Sequence, residues 1–376
     1  MKIIIDDKIP YIKGALESVA EVIYLPGSKT TPEVVKDADA IITRTRTHCN
    51  EKLLAGSSVR FIATATIGFD HIDTAYCDKA GIVWTNAPGC NSKSVEQYVA
   101  SVLMVMALKN GITLSGKTIG IVGVGNVGSK VAHICEIFGM KVLLNDPPRA
   151  RKEGIQGFVE LDEILEKADV ITLHVPLNMD GVDQTYHLAD EAFFAKAKKK
   201  PIFINSCRGE VVENEALKKA ILSKQVVGAT IDCWENEPDI DTKLLDLIDL
   251  GTPHIAGYSK DGKANGTSMS VQAVSKFFGL GLDSWECLNV ELPASTLIKI
   301  DGKDKTEQQI FSEAILTTYD IRNDDQALRN SVVSFEKLRG DYPVRREFPV
   351  FEIKATHLNS SMIEKLRAIG FKVSVA

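Results

Sequence analysis

What this chain lacks narrows its function before any motif is read. Its 376 residues contain no C-x-x-C pair, and the seven cysteines at 49, 77, 90, 135, 207, 233 and 287 are odd in number and scattered. That spacing suits neither a zinc site, nor a redox motif, nor a disulfide framework, so reduced thiols and no metal are expected. No long block of like charge occurs either. Lys+Arg 44 against Asp+Glu 50 leaves a net charge of −6, a mild acidic balance that offers no footprint for nucleic acid. The longest strongly apolar run, Tyr98 to Leu108, falls well short of the ~18 residues that cross a bilayer and reads as a buried helix, so no membrane partner is expected. Met1-Lys-Ile-Ile-Ile-Asp-Asp begins like a strand rather than a secretory signal, and a cytoplasmic location is expected.

What is present is an ordinary globular composition, 44% apolar and 25% charged, with material for two or three domains. Short β-rich runs alternate with helical stretches from the start: Lys2–Asp6, Glu21–Leu25, Ala40–Thr43, Arg60–Thr66 and Ile82–Asn86. A long apolar helix from Ser94 to Lys109 follows. The alternation then restarts with Thr118–Val122, Lys141–Asn145, Val170–Val175, Pro201–Asn205 and Val226–Asp232. This is the punctuation of βαβ units. A helical run from Lys263 to Leu282 has no strand partner of its own and is expected to return to the first unit. After residue 285 a turn-rich stretch (292–305) precedes helical stretches at 307–320 and 325–338, a strand at 350–355, a helix at 360–369 and a last strand at 371–375. About ninety residues of that kind can form a third domain.

The first motif with chemistry is Gly123-x-Gly125-x-x-Gly128, which directly follows the strand Thr118–Val122 and opens a helical segment. Gly123 permits the tight turn, Gly125 lets backbone approach a pyrophosphate, and Gly128 permits close packing of helix on sheet. Eighteen residues past Gly128, Asp146 ends the next strand, where its carboxylate can accept from ribose hydroxyls. A carboxylate there repels a 2′-phosphate, so NAD is expected over NADP, although Arg149, three residues on, is a competing signal. Further along, Arg208 follows the strand Pro201–Asn205, Glu237 follows Val226–Asp232, and His254 lies in the next connection. Strand C-terminal ends are where open α/β sheets hold ligands. An Arg to clamp a carboxylate, a His to accept a proton and a Glu to tune it are what alcohol–ketone chemistry on NAD requires.

With these residues in view the chain resembles the D-2-hydroxyacid dehydrogenases, over residues 1 to about 284. The resemblance implies an α/β fold in which a Rossmann-type NAD domain is inserted in a flavodoxin-like substrate domain. The expected boundaries are 1–93 for the first part of the substrate domain, 94–256 for the NAD domain, 257–285 for the return helix and 286–376 for a C-terminal α/β dimerisation domain. It also implies that Arg208, Glu237 and His254 are catalytic, Arg208 holding the substrate carboxylate, His254 taking the hydroxyl proton and Glu237 stabilising the imidazolium. Asn126, Val127, Val175, Ser206, Cys207, Arg208, Asp232 and Gly257 would line the NAD site with Gly123, Gly125, Gly128 and Asp146. Within the family, Asp146-Pro-Pro-Arg-Ala, Asn86-Ala-Pro-Gly-Cys-Asn, His254-Ile-Ala-Gly-Tyr-Ser and the tail resemble a branch acting on a phosphorylated 2-hydroxy acid as a homodimer. By that resemblance Thr45, Thr66 and Tyr258 would touch substrate. Of the cations nearest the strand ends of the first domain, Arg44, Arg46 and Lys93, the expectation for the phosphate falls on Arg44, which flanks Thr45. The alternatives are a family member acting on 3-phosphoglycerate, glyoxylate or hydroxypyruvate, and a non-catalytic NAD-sensing co-regulator.

Overall fold

The computed structural model describes residues 1–375 as two compact units, Met1–Asn91 with Ser259–Glu291, and Ser92–Tyr258 with Leu292 onward. In the first unit five strands, β1 (Lys2–Asp6), β2 (Glu21–Leu25), β3 (Ala40–Thr43), β4 (Phe61–Thr64) and β5 (Val83–Thr85), form a parallel sheet in the order β2-β1-β3-β4-β5. The central strands are apolar at nearly every position because parallel strands linked by helices are covered on both faces. Ile3, Ile5, Ile42 and Phe61 pack with Val271 and Val274 of the Lys260–Phe278 helix. Ile4, Ile41 and Ile62 face the other way, onto Val35, Leu54 and Cys77.

The second unit is built on β6 (Thr118–Val122), β7 (Lys141–Asn145), β8 (Val170–Leu173), β9 (Ile202–Asn205), β10 (Gly228–Ile231) and β11 (Leu250–Gly251). All pairings are parallel and the order is β11-β10-β9-β8-β6-β7, a doubly wound Rossmann-type sheet. One face packs on Phe193, Phe194, Leu217 and Leu244. The other packs on the Ser92–Asn110 helix through Tyr98, Val102 and Met106. Almost every residue of that helix up to Ala107 is buried, which explains a run with no polar face: a helix apolar all round needs cover on both sides. The second cover comes from the tail.

The tail carries a parallel three-stranded sheet, β12 (Leu297–Asp301), β13 (Glu352–Thr356) and β14 (Lys372–Val375), in that order. β12 lies inside the stretch expected to be turn-rich. It shows only two inward residues, Ile298 and Ile300, alternating with exposed Leu297, Lys299 and Asp301, and the flanking Pro293, Ser295 and Gly302 mask so short an alternation. The helical stretch expected over 325–338 is two helices, Ile321–Asn330 and Phe335–Gly340, parted by a 3-10 turn at Val332–Ser334. There the Ser331 and Ser334 hydroxyls hydrogen-bond each other at 2.8 Å, the local competition that breaks serine-rich helices.

Among the described residues the tail sheet leaves no wholly apolar face uncovered. Ile298, Ile300, Ile353 and Ala355 share one core with the Glu307–Thr318 and Ser360–Ile369 helices and with Phe138 and Met140 of the same chain, while Lys299, Asp301, Lys354 and Lys372 occupy the exposed side. Among the described residues no helix is long and apolar enough to cross a membrane.

Candidate active site

The glycine fingerprint sits at the C-terminal end of β6. Gly123 has φ +89°, and a Cβ on it would lie 2.6 Å from the His174 carbonyl oxygen. A Cβ on Gly128, at the start of the Gly128–Ile137 helix, would lie 2.0 Å from the Gly123 oxygen. Around Gly125 there is nothing within 4 Å. Two glycines are therefore required by close packing, and the middle one keeps an open face beside exposed Asn126 and half-buried Val127, where the helix offers unpaired N–H groups to anionic oxygens.

Asp146 directly follows β7 and caps the Pro147–Glu153 helix: its Oδ1 accepts from Arg149 N at 3.0 Å and its Oδ2 from Val124 N at 2.8 Å. The acid is thus fastened to the glycine loop itself. Arg149, the competing signal for NADP, is bound by two donations to the Glu153 carboxylate and one to the Val124 carbonyl. Val175 lies over the loop, its Cγ1 2.9 Å from where a Gly123 Cβ would stand. At the end of β9 the Cys207 thiol turns inward to donate to Asn205 Oδ1, with burial pushing it up to about 11. Ser206 Oγ is buried and without a hydrogen-bond partner among the described residues. An orphaned hydroxyl and an open glycine face fit a polar dinucleotide at this edge of the sheet.

Three neighbouring strand ends converge beside it. Arg208 follows β9, with its Nη1 donating to the Cys207 carbonyl at 2.8 Å. His254 Nδ1 and Glu237 Oε2 pair at 2.8 Å, and Glu237 Oε1 accepts from Trp234 N at 2.8 Å. His254 Nε2 has no partner among the described residues, so the ring is oriented by one nitrogen and presents the other. His254 has φ +53°, held by its N–H donating to the Asp232 carbonyl at 2.8 Å.

Asp232, expected along the NAD site, turns its carboxylate to the His254 loop. Its Oδ1 accepts from Thr252 Oγ1 and Ile255 N, and its Oδ2 from Ala256 N, at 2.6 to 2.9 Å. Burial raises this carboxyl, opposed by His254 and these donors. Gly257 and Tyr258 end the loop, both half-buried. Cys233 Sγ also comes within 4.8 Å of the Glu237 and His254 donor atoms. Burial, then Asp232 and Glu237, push that thiol well above its ordinary value.

In the first unit Thr45 is exposed in the turn after β3, and Arg44 donates to the Lys8 carbonyl at 3.1 Å. Thr66, past the end of β4, donates to the Gly68 carbonyl at 2.8 Å and shares a 2.7 Å hydrogen bond with Thr64. Lys263, on the Lys260–Phe278 helix, joins this group electrostatically. Burial, followed by the charges of Arg44 and Lys260, holds its ammonium down to about 8. Lys93 lies in the other unit.

Residues 93–256 match the family model described as the NAD binding domain of D-isomer specific 2-hydroxyacid dehydrogenases, and residues 291–370 match one described only as a domain of unknown function. Erythronate-4-phosphate dehydrogenase of Bacteroides fragilis is 53% identical over 357 residues, covering 95% of this chain and 100% of its own. The enzyme of the same name from Klebsiella pneumoniae is 40% identical, with 99% and 98% covered. The chain belongs to the D-isomer specific 2-hydroxyacid dehydrogenases, in their erythronate-4-phosphate dehydrogenase branch. Like its family it is an NAD-dependent oxidoreductase. D-lactate dehydrogenase from Aquifex aeolicus, solved with NAD and lactic acid, shares the fold at a TM-score of 0.62 and 27% identity, over 78% of this chain and 100% of that one.

Family motifs marked the convergent side chains but not what brings them together. Trp234, fully buried, sends its indole N–H to the Thr252 carbonyl at 2.9 Å. Gly209 meets the same residue from β9: a Cβ there would lie 2.0 Å from both C and O of Trp234. One tryptophan thus ties together the strand ends that carry Arg208, Glu237 and His254. The aromatic residue between Cys233 and Glu235 and the glycine after Arg208 were the only signals for this, and neither points to a partner. Lys263 gave none, since one lysine in a solvated helix looks like any other.

Proposed function

We propose that the chain oxidises 4-phospho-D-erythronate at C2 with NAD, giving (R)-3-hydroxy-2-oxo-4-phosphooxybutanoate, a step toward pyridoxal 5′-phosphate. The observation that carries this reading is the His254–Glu237 pair, at strand ends neighbouring the one that carries Arg208, in a chain so close to enzymes named for that substrate. Arg208 holds the C1 carboxylate through its guanidinium and orients the C2 hydrogen. His254 Nε2 accepts the C2 hydroxyl proton, and the imidazolium so formed donates Nδ1–H to Glu237. The Gly123–Gly128 loop, Asp146, Val175 and Ser206 would hold NAD, which would supply the acceptor for the C2 hydride. Proton and hydride together convert the alcohol to the ketone.

Thr45, Thr66 and Tyr258 would contact the substrate, with Arg44 at the phosphate and Lys263, a half-neutral ammonium near pH 8, as a second cation that an anion would recharge. We keep the homodimer and the cytoplasm as proposals. Light scattering on the intact chain tests the first; truncating the tail does not, because the Ser92–Asn110 helix would lose its cover.

The test of the reaction is a panel of 2-hydroxy acids assayed with NAD. Turnover should favour 4-phosphoerythronate over erythronate, 3-phosphoglycerate and glycolate, and His254→Ala should lower it ~10²–10⁴-fold with NAD affinity retained. Preference for 3-phosphoglycerate would overturn the substrate. Arg44→Ala should raise KM for the phosphorylated acid more than for erythronate, and equal effects would remove Arg44 from the phosphate.

A further inference from the structure

The part of the chain whose matching model names no function grips the loop of the proposed general base at both ends. Arg345, fully buried in the tail, donates from Nη1 to the Ile255 and Ala256 carbonyls at 3.4 and 3.3 Å, the two residues directly after His254. It is anchored by Nε to Gln97 Oε1 at 2.8 Å, and its guanidinium lies 3.8 Å from the Tyr319 ring centroid. Two residues later in that loop, Tyr258 meets the tail again. The Tyr342 ring stands edge-on to it at 5.8 Å and 87°, and the Arg339 guanidinium lies over it, also at 5.8 Å.

Arg339 is unusually placed for a cation at the end of a short surface helix. Its Nη1 donates to Glu336 at 3.1 Å, but its Nε is buried and has no hydrogen-bond partner among the described residues. Burial works against its charge, yet Tyr258, Glu237, Glu336 and Asp232 outweigh that and keep it firmly protonated. A cation with those neighbours bears on the His254–Glu237 pair and on Tyr258 at once. Tyr342 is fixed in turn, since its hydroxyl donates to Asp324 Oδ2 at 2.8 Å, an oxygen that also accepts from Tyr319 at 2.8 Å. The aromatic edge against Tyr258 therefore belongs to a braced network.

We propose that the tail is a working part of the active site: Arg339 is a positioning residue that, with Tyr342, sets the Tyr258 ring near the His254–Glu237 pair and so governs affinity for the phosphorylated hydroxy acid. This rests on the reading that Tyr258 touches substrate. A guanidinium over a ring holds its tilt through the ring quadrupole, and the edge-on partner restricts its swing.

The test is steady-state kinetics on the full chain with 4-phosphoerythronate and NAD, for Arg339→Met, Arg339→Lys, Tyr342→Leu, Tyr258→Ala and the Arg339→Met/Tyr258→Ala pair. Arg339→Met should raise KM for the acid about three- to ten-fold, the loss of one partly desolvated cation–ring contact, and leave KM for NAD and the melting temperature near wild type. Lys, which keeps a cation over the ring, should recover part of the loss, and Tyr342→Leu should raise the same KM. In the double variant the Arg339 effect should vanish, because the ring it positions is gone. Arg339→Met without effect on that KM, or with an effect that multiplies fully onto Tyr258→Ala, overturns the inference. Tyr258→Ala without effect on KM overturns the substrate-contact reading beneath it, and the two failures are thereby distinct.

Discussion

Replacing Gly209 with alanine tests whether the spacing of strand ends, rather than the identity of the reacting groups, sustains turnover. A Cβ at 209 would stand 2.0 Å from C and O of Trp234 and 2.5 Å from Glu235 N. All three are backbone atoms, so no side-chain rotation relieves the contact. Reaching even the near edge of ordinary contact, 3.4 Å, from 2.0 Å parts the two segments by about 1.4 Å. Arg208 lies on one side of that seam. Glu237 lies on the other, with His254 tied to it by their 2.8 Å pair. A displacement near 1 Å between substrate clamp and proton acceptor costs on the order of 10²-fold in rate, and overpacking of this kind costs ~1–3 kcal/mol of stability. Gly209→Ala should therefore lower kcat/KM for the phosphorylated acid by about a hundredfold, with a melting temperature reduced by several degrees but a cooperative transition intact. Activity within about threefold of wild type in a folded variant would refute the argument that close approach at Trp234 sets the catalytic geometry.

Asp146→Ala should lose its ties to Val124 and Arg149, weaken NAD and relax discrimination against NADP; equal use of both cofactors by the wild type would contradict the role given to Asp146. Glu237→Gln removes the charge that faces His254 Nδ1 at 2.8 Å, so kcat should fall while KM for NAD holds, and an unchanged kcat would take Glu237 out of the mechanism. Glu96, buried on the Ser92–Asn110 helix, is pushed up to about 7 by burial, against the pull of Lys130 and Lys93. Its folded pKa exceeds the unfolded one, so the folded state holds an extra proton between about 4.5 and 7, and stability falls as pH rises through that window. Glu96→Gln should thus stabilise the chain at pH 8 by on the order of 2 kcal/mol and have little effect near pH 4.5. Denaturant melts at the two pH values measure the difference, and a gain confined to acid pH would reverse the sign.

The glycine loop, Asp146, Arg208, Glu237 and His254 were legible because each follows a strand whose apolar run is unmistakable, and because a strand end is a place as well as a motif. The sheets of the two units were legible for the same reason, to within a residue or two at most strand ends. β12 was not. Only Ile298 and Ile300 point inward, too few for periodicity to stand out beside Pro293 and Gly302. Asp232 shows a different limit. A buried acid after a strand reads as a ligand site in sequence, and nothing there signals the three loop donors that its carboxylate accepts from. Arg339 and Arg345 lie eighty residues or more from the loop they hold, a distance at which no pattern of spacing operates.

The returning helix also has a consequence in time. Ile3, Ile5, Ile42 and Phe61 need Val271 and Val274 to close their side of the first sheet, yet the segment between Asn91 and Ser259 must be synthesised first. At ~5–20 residues per second a ribosome needs on the order of ten to thirty seconds for that stretch. During this interval the nascent amino-terminal sheet carries a bare isoleucine-rich face, while the second unit completes its central strands. Contacts of such long range form late and slowly. The chain's exposure to chaperones and to aggregation is thus concentrated in the time before residue 278 emerges, and a pulse-labelled nascent chain halted at residue 258 should be protease-sensitive in residues 1–91 and become resistant there once the helix is released.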